Sequence, residues 1–569
     1  MKKRITILLL AACIGTSARL AAAPRGEQAA RHIAEQFLKG QAVAGKRASA
    51  TDRLTLAATS ADLATAKKRS ATTAWYVFNQ GTEAFVIVSG DDRMTDILGY
   101  STERAFDTEG MPDNLRAWLA SYTALAENVT TSQAPETPAT RTSTDGYPEA
   151  VTPLLGDINY SQDEPYNRQC PLWNETRCIT GCGATAMATI LRYWEYPSRG
   201  TGSHAYYTAQ YGIPCSFDFE ATVFDWERIL PTYAGVEYSE EEAEAVANLM
   251  LACGVAGEAD YCGEDGTGMR ANYPAQGLLR YFGYNPYMRY LERPLYDTQE
   301  WMDVIKEELS EGRPVIYGGT DEVQGGHAFC IDGYDHNGMV HVNWGWNGQD
   351  NGYYEIETLN PYEEGEGNGF SLNQNMIVGI APANIYDDPK SAFSINGFEM
   401  RESLGGTIAV IIESMYNLGY DASGRTAFIA EKEGVQTILM ELFPYEDLQN
   451  FYGMGDISFF WNGMGELDPG TYRIYMASRT DGEPAWTKAK GSGIDEYTLT
   501  MHENGGYELQ EGRPTGIGSV TGKASGADKL VDVVALNGVK IKTGVKSSEA
   551  LNGLQQGIYI VDGKKYVVK

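Results

Sequence analysis

The stretch TGCGATAMATILRYWEYP, Thr180 to Pro197, sets a cysteine between two glycines at the mouth of a helix-forming run. Gly181 and Gly183 permit a tight backbone entry, ATAMATILRYW favours helix, and Pro197 stops it. Cys182 is therefore expected at a helix N-terminus. Unpaired N–H groups and the positive dipole end stabilise a thiolate there, lowering the thiol pKa and supplying donors for an oxyanion. Two plainer readings compete: a small buried residue, or half of a disulfide with Cys178.

A nucleophilic thiol needs a base, and the chain has six histidines. His32, His204 and His502 lie in segments without a supporting motif. His327, in QGGHAFCIDGYD, follows two glycines that allow a substrate backbone close approach, and it opens an apolar strand that would fix its ring. It lies 145 residues after Cys182, within the Cys-to-His span of papain-type peptidases. His336 sits in an HNG turn and reads as solvated. His341, on the strand HVNWGW, shares a face with Asn343 and opposes Trp344, and reads as a packed structural histidine. An imidazole must be held in one tautomer, which an amide does by hydrogen bonding and an indole by excluding water. Asn343 is favoured as the orienter, with Trp344 as the alternative. Gln162, in YSQDEPYN, stands 20 residues before the thiol and suits an oxyanion donor.

These motifs together resemble a known family. YSQDEPYN, GCGATAMATILRYWEYP, FDWERILPTYAG, GGHAFCIDGYD, HVNWGWNGQDNGYY and ETLNP, in this order from about Leu155 to Pro382, resemble the streptopain family of papain-like cysteine peptidases. The resemblance implies Cys182 as nucleophile, His327 as general base and acid, Gln162 as oxyanion donor, and Asn343 with Trp344 as support of the imidazole. It also places Gly326 and Thr267 where the family contacts substrate backbone. No cofactor and no metal are implied. FVIVSGDDRMTDILGYS resembles the family's inhibitory pro-domain. EEGEGNGF resembles its mobile glycine-rich loop but carries Glu363, Glu364 and Glu366, so substrate preference does not transfer. The ending GIYIVDGKKYVVK resembles a C-terminal sorting signal of the type IX secretion route, which would make outer-membrane secretion machinery a partner.

Composition agrees with an exported enzyme. The 569 residues, 43% apolar, suffice for several cores. MKKRITILLLAACIGTSARLAAAPRG has the basic start, short apolar run and small residues of a secretory signal, cut between about Ala18 and Ala23. LAAC ending at Cys13 offers lipidation as the alternative. No later run is long and apolar enough for a membrane helix. Of eight cysteines, the seven after Cys13 lie between residues 170 and 330. An odd count in an exported protein leaves at least one thiol unpaired. Cys-x3-Cys at Cys178 and Cys182, without a second pair, is poor zinc spacing. The formal charge of −31 argues against nucleic acid as a partner. Residues 142–384 hold 37 acidic against 11 basic side chains, whereas residues 24–75 hold nine basic against four acidic. The plain reading of the acidic surface is solubility; the sharper one is a basic N-terminal segment docking on the acidic domain.

Five segments are expected: a signal peptide (1–23), an α+β inhibitory pro-domain with a Thr-, Pro- and Ala-rich linker (24–141), a papain-like α+β catalytic domain with helices followed by antiparallel sheet (142–384), a β-sandwich (385–512) and a small β module (513–569). The expected function is a secreted cysteine endopeptidase made as a zymogen, acting on protein or peptide substrates, with its own pro-domain as inhibitor. The alternatives are an inactive papain-like adhesin and a transglutaminase-like acyltransferase.

Overall fold

The computed structural model describes residues 24–41, 53–63, 73–128, 146–261, 266–321, 325–356, 372–385, 389–403, 407–512, 530–535, 540–546, 557–561 and 564–568. The signal segment, most of the linker, Cys262 and the acidic loop with Glu363, Glu364 and Glu366 lie outside the described residues. The chain divides into two units, one of residues 1–108 and 125–142, the other of residues 109–124 and 143–569.

The first unit has α1 (Glu27–Gly40), whose Ala30 and Ala34 are fully buried one turn apart, as the helical spacing of the sequence requires. An antiparallel run of strands follows: β1 (Thr55–Thr59), β2 (Trp75–Gln80), β3 (Ala84–Ser89) and β4 (Ile97–Ser101). The expected turn between β2 and β3 is made by Gly81 at φ 56°.

The second unit takes in most of α2 (Asp113–Asn128), the helix that the sequence assigns to the pro-domain. The reason is a polar and aromatic face at four-residue spacing. Asn114 donates to Trp344 O at 2.7 Å, Trp118 meets Phe329 and Trp344 edge to face with centroids 5.7 and 5.8 Å away, and Tyr122 donates to Glu355 O at 2.6 Å. Three further helices then build the helical half: α3 (Cys182–Trp194), α4 (Glu240–Ala256) and α5 (Tyr273–Phe282). Every residue of α3 from Gly183 to Leu191 is buried, the mark of a helix running through a core. Ser239 and Glu242 form a capping box that starts α4, and Gly283 at φ 67° ends α5.

The sheet half comprises β5 (Arg289–Glu292), β6 (Val315–Asp321), β7 (Gly325–Tyr334), β8 (Val340–Asn343), β9 (Gly352–Tyr354) and β10 (Leu372–Val378), with α6 (Thr298–Ser310) between β5 and β6. The order is β9-β8-β7-β6-β10-β5, antiparallel throughout. Cys330 of β7 donates its thiol to Ala186 O at 3.7 Å, which seats α3 against the sheet. Helices first and antiparallel sheet later is the α+β arrangement expected of a papain-like domain.

Beyond it, two antiparallel sheets enclose Ile408, Val410, Ile412, Phe428, Ile474, Met476 and Leu499, so the alternating strands from Phe393 to Glu511 form the expected sandwich. It closes the edge of the catalytic sheet: Gly419 bridges Arg289, and Tyr290 N–H donates to Leu418 O at 2.8 Å. Four short strands between Leu530 and Val568 make a separate antiparallel sheet.

Candidate active site

The entry to α3 explains both glycines around the thiol. Gly181 adopts φ 85° and ψ 145°, a conformation costly for any side chain. A Cβ there would stand 2.7 Å from Thr267 O and 2.9 Å from its Cγ2. A Cβ on Gly183 would meet Met269 Sδ at 3.0 Å. The loop carrying Thr267 and Met269 is therefore packed directly on the backbone at either side of Cys182. Thr267 Oγ1 also donates to Ile179 O at 2.7 Å. On the inner side, Thr185 donates both its N–H and its hydroxyl to Gly181 O at 3.0 Å, locking the first turn. No side chain caps this helix, so its first N–H groups face the thiol end uncapped by one.

Cys182 is the one half-buried cysteine among those described; Cys170, Cys178, Cys215, Cys253 and Cys330 are buried, and none of the six forms a disulfide with another described cysteine. The Cys178–Cys182 disulfide considered from sequence is thereby set aside. The Ala328 N–H donates to Cys182 Sγ at 3.3 Å, which brings β7, immediately after His327, onto the sulfur. Burial pushes the Cys182 thiol above its ordinary value, while the N–H groups of Ala328, Gly183 and Cys182 itself pull it down. This direction is opposite to the sequence expectation of a lowered pKa, because loss of water at the sulfur outweighs the helix end in this conformation.

His327 is half-buried on β7, opposite Gly319 of β6. Gly326 beside it is exposed, and the nearest atom to a Cβ placed there is Gly319 O at 3.9 Å, so its flank is open to a peptide backbone. Gln162 is buried, and its carbonyl accepts from Thr180 N–H at 3.1 Å, two residues before the thiol. The structure thus gathers Cys182, Gln162, Thr267, Gly326 and the start of the His327 strand.

Asn343 is occupied with backbone. Its amide nitrogen donates to Ile158 O at 2.8 Å and its amide oxygen accepts from Gly345 N–H at 3.1 Å. In register it pairs with Cys330, and strand alternation puts Cys330 on the face opposite His327 and Phe329. Trp344 instead packs at a tilt against Phe329 with centroids 4.8 Å apart and is held by Nε1–H donation to Asp350 O at 3.1 Å. His341 is buried and donates from Nδ1 to Asp332 Oδ1 at 2.6 Å, and Asp332 Oδ2 accepts from Leu155 N–H. His336 is exposed. The sequence reading missed the Ala328 N–H, a backbone group without a residue signature, and Met269, which becomes visible only once Gly183 is placed.

A family model described as Peptidase C10 family matches residues 160–354, and one described as Spi protease inhibitor matches residues 22–125. Streptopain of Streptococcus pyogenes is 36% identical over 330 residues, covering 54% of this chain and 80% of streptopain. Thiol protease/hemagglutinin PrtT of Porphyromonas gingivalis is 34% identical over 325 residues, 54% of this chain but only 37% of PrtT. A solved fragment of Prevotella intermedia prointerpain A, a Cys-to-Ala mutant, is 37% identical and aligns with a TM-score of 0.50 over 57% of this chain and 98% of the fragment. With its half-exposed thiol at a helix start, its histidine on the adjoining strand and an inhibitor-type segment ahead of both, the chain belongs to the C10 family of cysteine peptidases.

Proposed function

We propose that the chain is a secreted endopeptidase zymogen in which Cys182 is the nucleophile and His327 the general base and acid. The observation that carries this reading is the Ala328 N–H on Cys182 Sγ, since it ties the strand of His327 to the one partly accessible thiol among those described. His327 takes the thiol proton and the sulfur attacks the peptide carbonyl carbon. The electron pair moves to the carbonyl oxygen, which the Cys182 N–H and the Gln162 amide receive. As the intermediate collapses, the imidazolium gives its proton to the departing amine, leaving a thioester. His327 then removes a proton from water, which attacks the thioester and releases the acid and the thiol. Thr267 and Gly326 line the backbone of the substrate, and Trp344 supports the His327 strand through Phe329. Asn343, favoured from the sequence, stays the proposed orienter of the imidazole, with Trp344 as the alternative.

The N-terminal segment acts as the intramolecular inhibitor, and the four-strand C-terminal module serves export to the cell surface. Purified full-length protein should cut a protein substrate with new N-termini and without cross-links, and Cys182→Ala should stay folded and at full length. Cross-links instead of new N-termini would move the chain to the acyltransferase reading, and self-processing by Cys182→Ala at the wild-type rate would overturn the assignment.

A further inference from the structure

The loop that flanks the thiol is held from two sides. At its start Thr267 and Met269 pack on Gly181 and Gly183. At its end stands Asn272, immediately before α5, and what fixes Asn272 is the β-sandwich. Tyr420 donates its hydroxyl to Asn272 O at 2.9 Å, and Asn272 Nδ2 donates to Asn450 Oδ1 at 2.9 Å. Asn450 is buried and its own Nδ2 donates to Gly419 O at 3.2 Å. The turn that presents it is pinned by fully buried Asn417, which donates to Leu448 O at 2.6 Å and accepts from Gly419 N–H at 2.8 Å. A surface loop ending on a polar cap residue has no rigidity of its own. Here two buried polar groups of another domain supply it.

We infer that the sandwich is a positioning element of the active site, and that Asn450 and Tyr420 are positioning residues that set the 266–272 loop, and through it the backbone at Cys182 and the Thr267 contact with substrate. The inference rests on the proposed role of Cys182. It gives the sandwich a task in catalysis.

The test uses the full-length chain with Asn450→Ala, Asn450→Asp and Tyr420→Phe. Asn450→Asp keeps the oxygen that accepts from Asn272 but lacks the donor to Gly419, so it separates the loop contact from the fold of the turn. Asn450→Ala should lower kcat/KM about tenfold or more, since small misplacements near the reacting atoms are costly. It should raise KM and change the alkylation rate of Cys182, with the melting temperature of Asn450→Asp as the stability control. Asn450→Asp should recover most of the activity, and Tyr420→Phe should fall between. Asn450→Ala with unaltered kcat/KM and unaltered Cys182 alkylation would overturn the inference, as would Asn450→Asp failing as badly as Asn450→Ala at equal stability. Failure of the peptidase reading would show differently: Cys182→Ala would retain the activity of the wild type, whatever Asn450 does.

Discussion

Gly181→Ala is the substitution whose consequence the geometry states most sharply. At φ 85° and ψ 145° an alanine bears roughly 1–3 kcal/mol of backbone strain. Its Cβ also stands 2.7 Å from the main-chain oxygen of Thr267, a group that cannot swing aside as a side chain would. Overpacking of this kind costs about 1–3 kcal/mol. Because Thr267 is itself tied to Ile179 O, relief comes by moving the start of α3, and Cys182 with it. A displacement of about 1 Å is worth roughly 10²-fold in rate. The expected result is a kcat lower by about that factor, a reduced melting temperature and a changed alkylation rate of Cys182. Gly183→Ala is the internal control. Its Cβ meets Met269 at Sδ (3.0 Å) and Cβ (3.1 Å), side-chain atoms that need to give by only a few tenths of an ångström and not a main-chain oxygen at 2.7 Å, and the helix gains about 1 kcal/mol of propensity. Its kcat should stay within about tenfold of wild type. Equal damage from both substitutions, or an undisturbed Gly181→Ala, would refute the argument.

His327→Ala should lower kcat by roughly 10²–10⁴ with little effect on melting, whereas His341→Ala should leave Asp332 Oδ1 buried without its hydrogen bond, cost about 1–3 kcal/mol and spare the kcat of the folded fraction; similar kcat losses at unchanged stability would mean the two roles are misassigned. Trp118→Ala removes a fully buried indole from the Phe329 and Trp344 wall, about 3–5 kcal/mol of attachment for α2. The full-length protein should then become active sooner at equal concentration, and an unchanged lag in a time course of substrate cleavage would contradict that role.

Much of the catalytic unit was legible because its chemistry is local in sequence. The Gly-Cys-Gly run announces both the helix start and the thiol, and the strand after Gly325 and Gly326 carries the histidine in the expected order. The thiol pKa was not legible, since it depends on water lost at Cys182 through segments distant in the chain. The hydrogen bonding of Asn343 was hidden for a similar reason: strand period two gives its face relative to His341 but not the bulge between Ile331 and Gly333 or the Ile158 carbonyl that receives its amide. The surface on which α2 packs also escaped, because the partners of Trp118 lie some two hundred residues on. The contact between Asn272 and Asn450 joins two loops whose sequences carry no sign of each other.

The identity of the reacting sulfur decides whether Cys182 is the nucleophile. Full-length protein, allowed to process itself, is titrated with an irreversible thiol-directed peptide epoxide, and the labelled residue is mapped by mass spectrometry against residual activity. Label on Cys182 alone, rising in proportion to the activity lost and strongly slowed in His327→Ala, is the predicted result. Activity that survives complete labelling of Cys182, or that disappears with label on another cysteine, would contradict it.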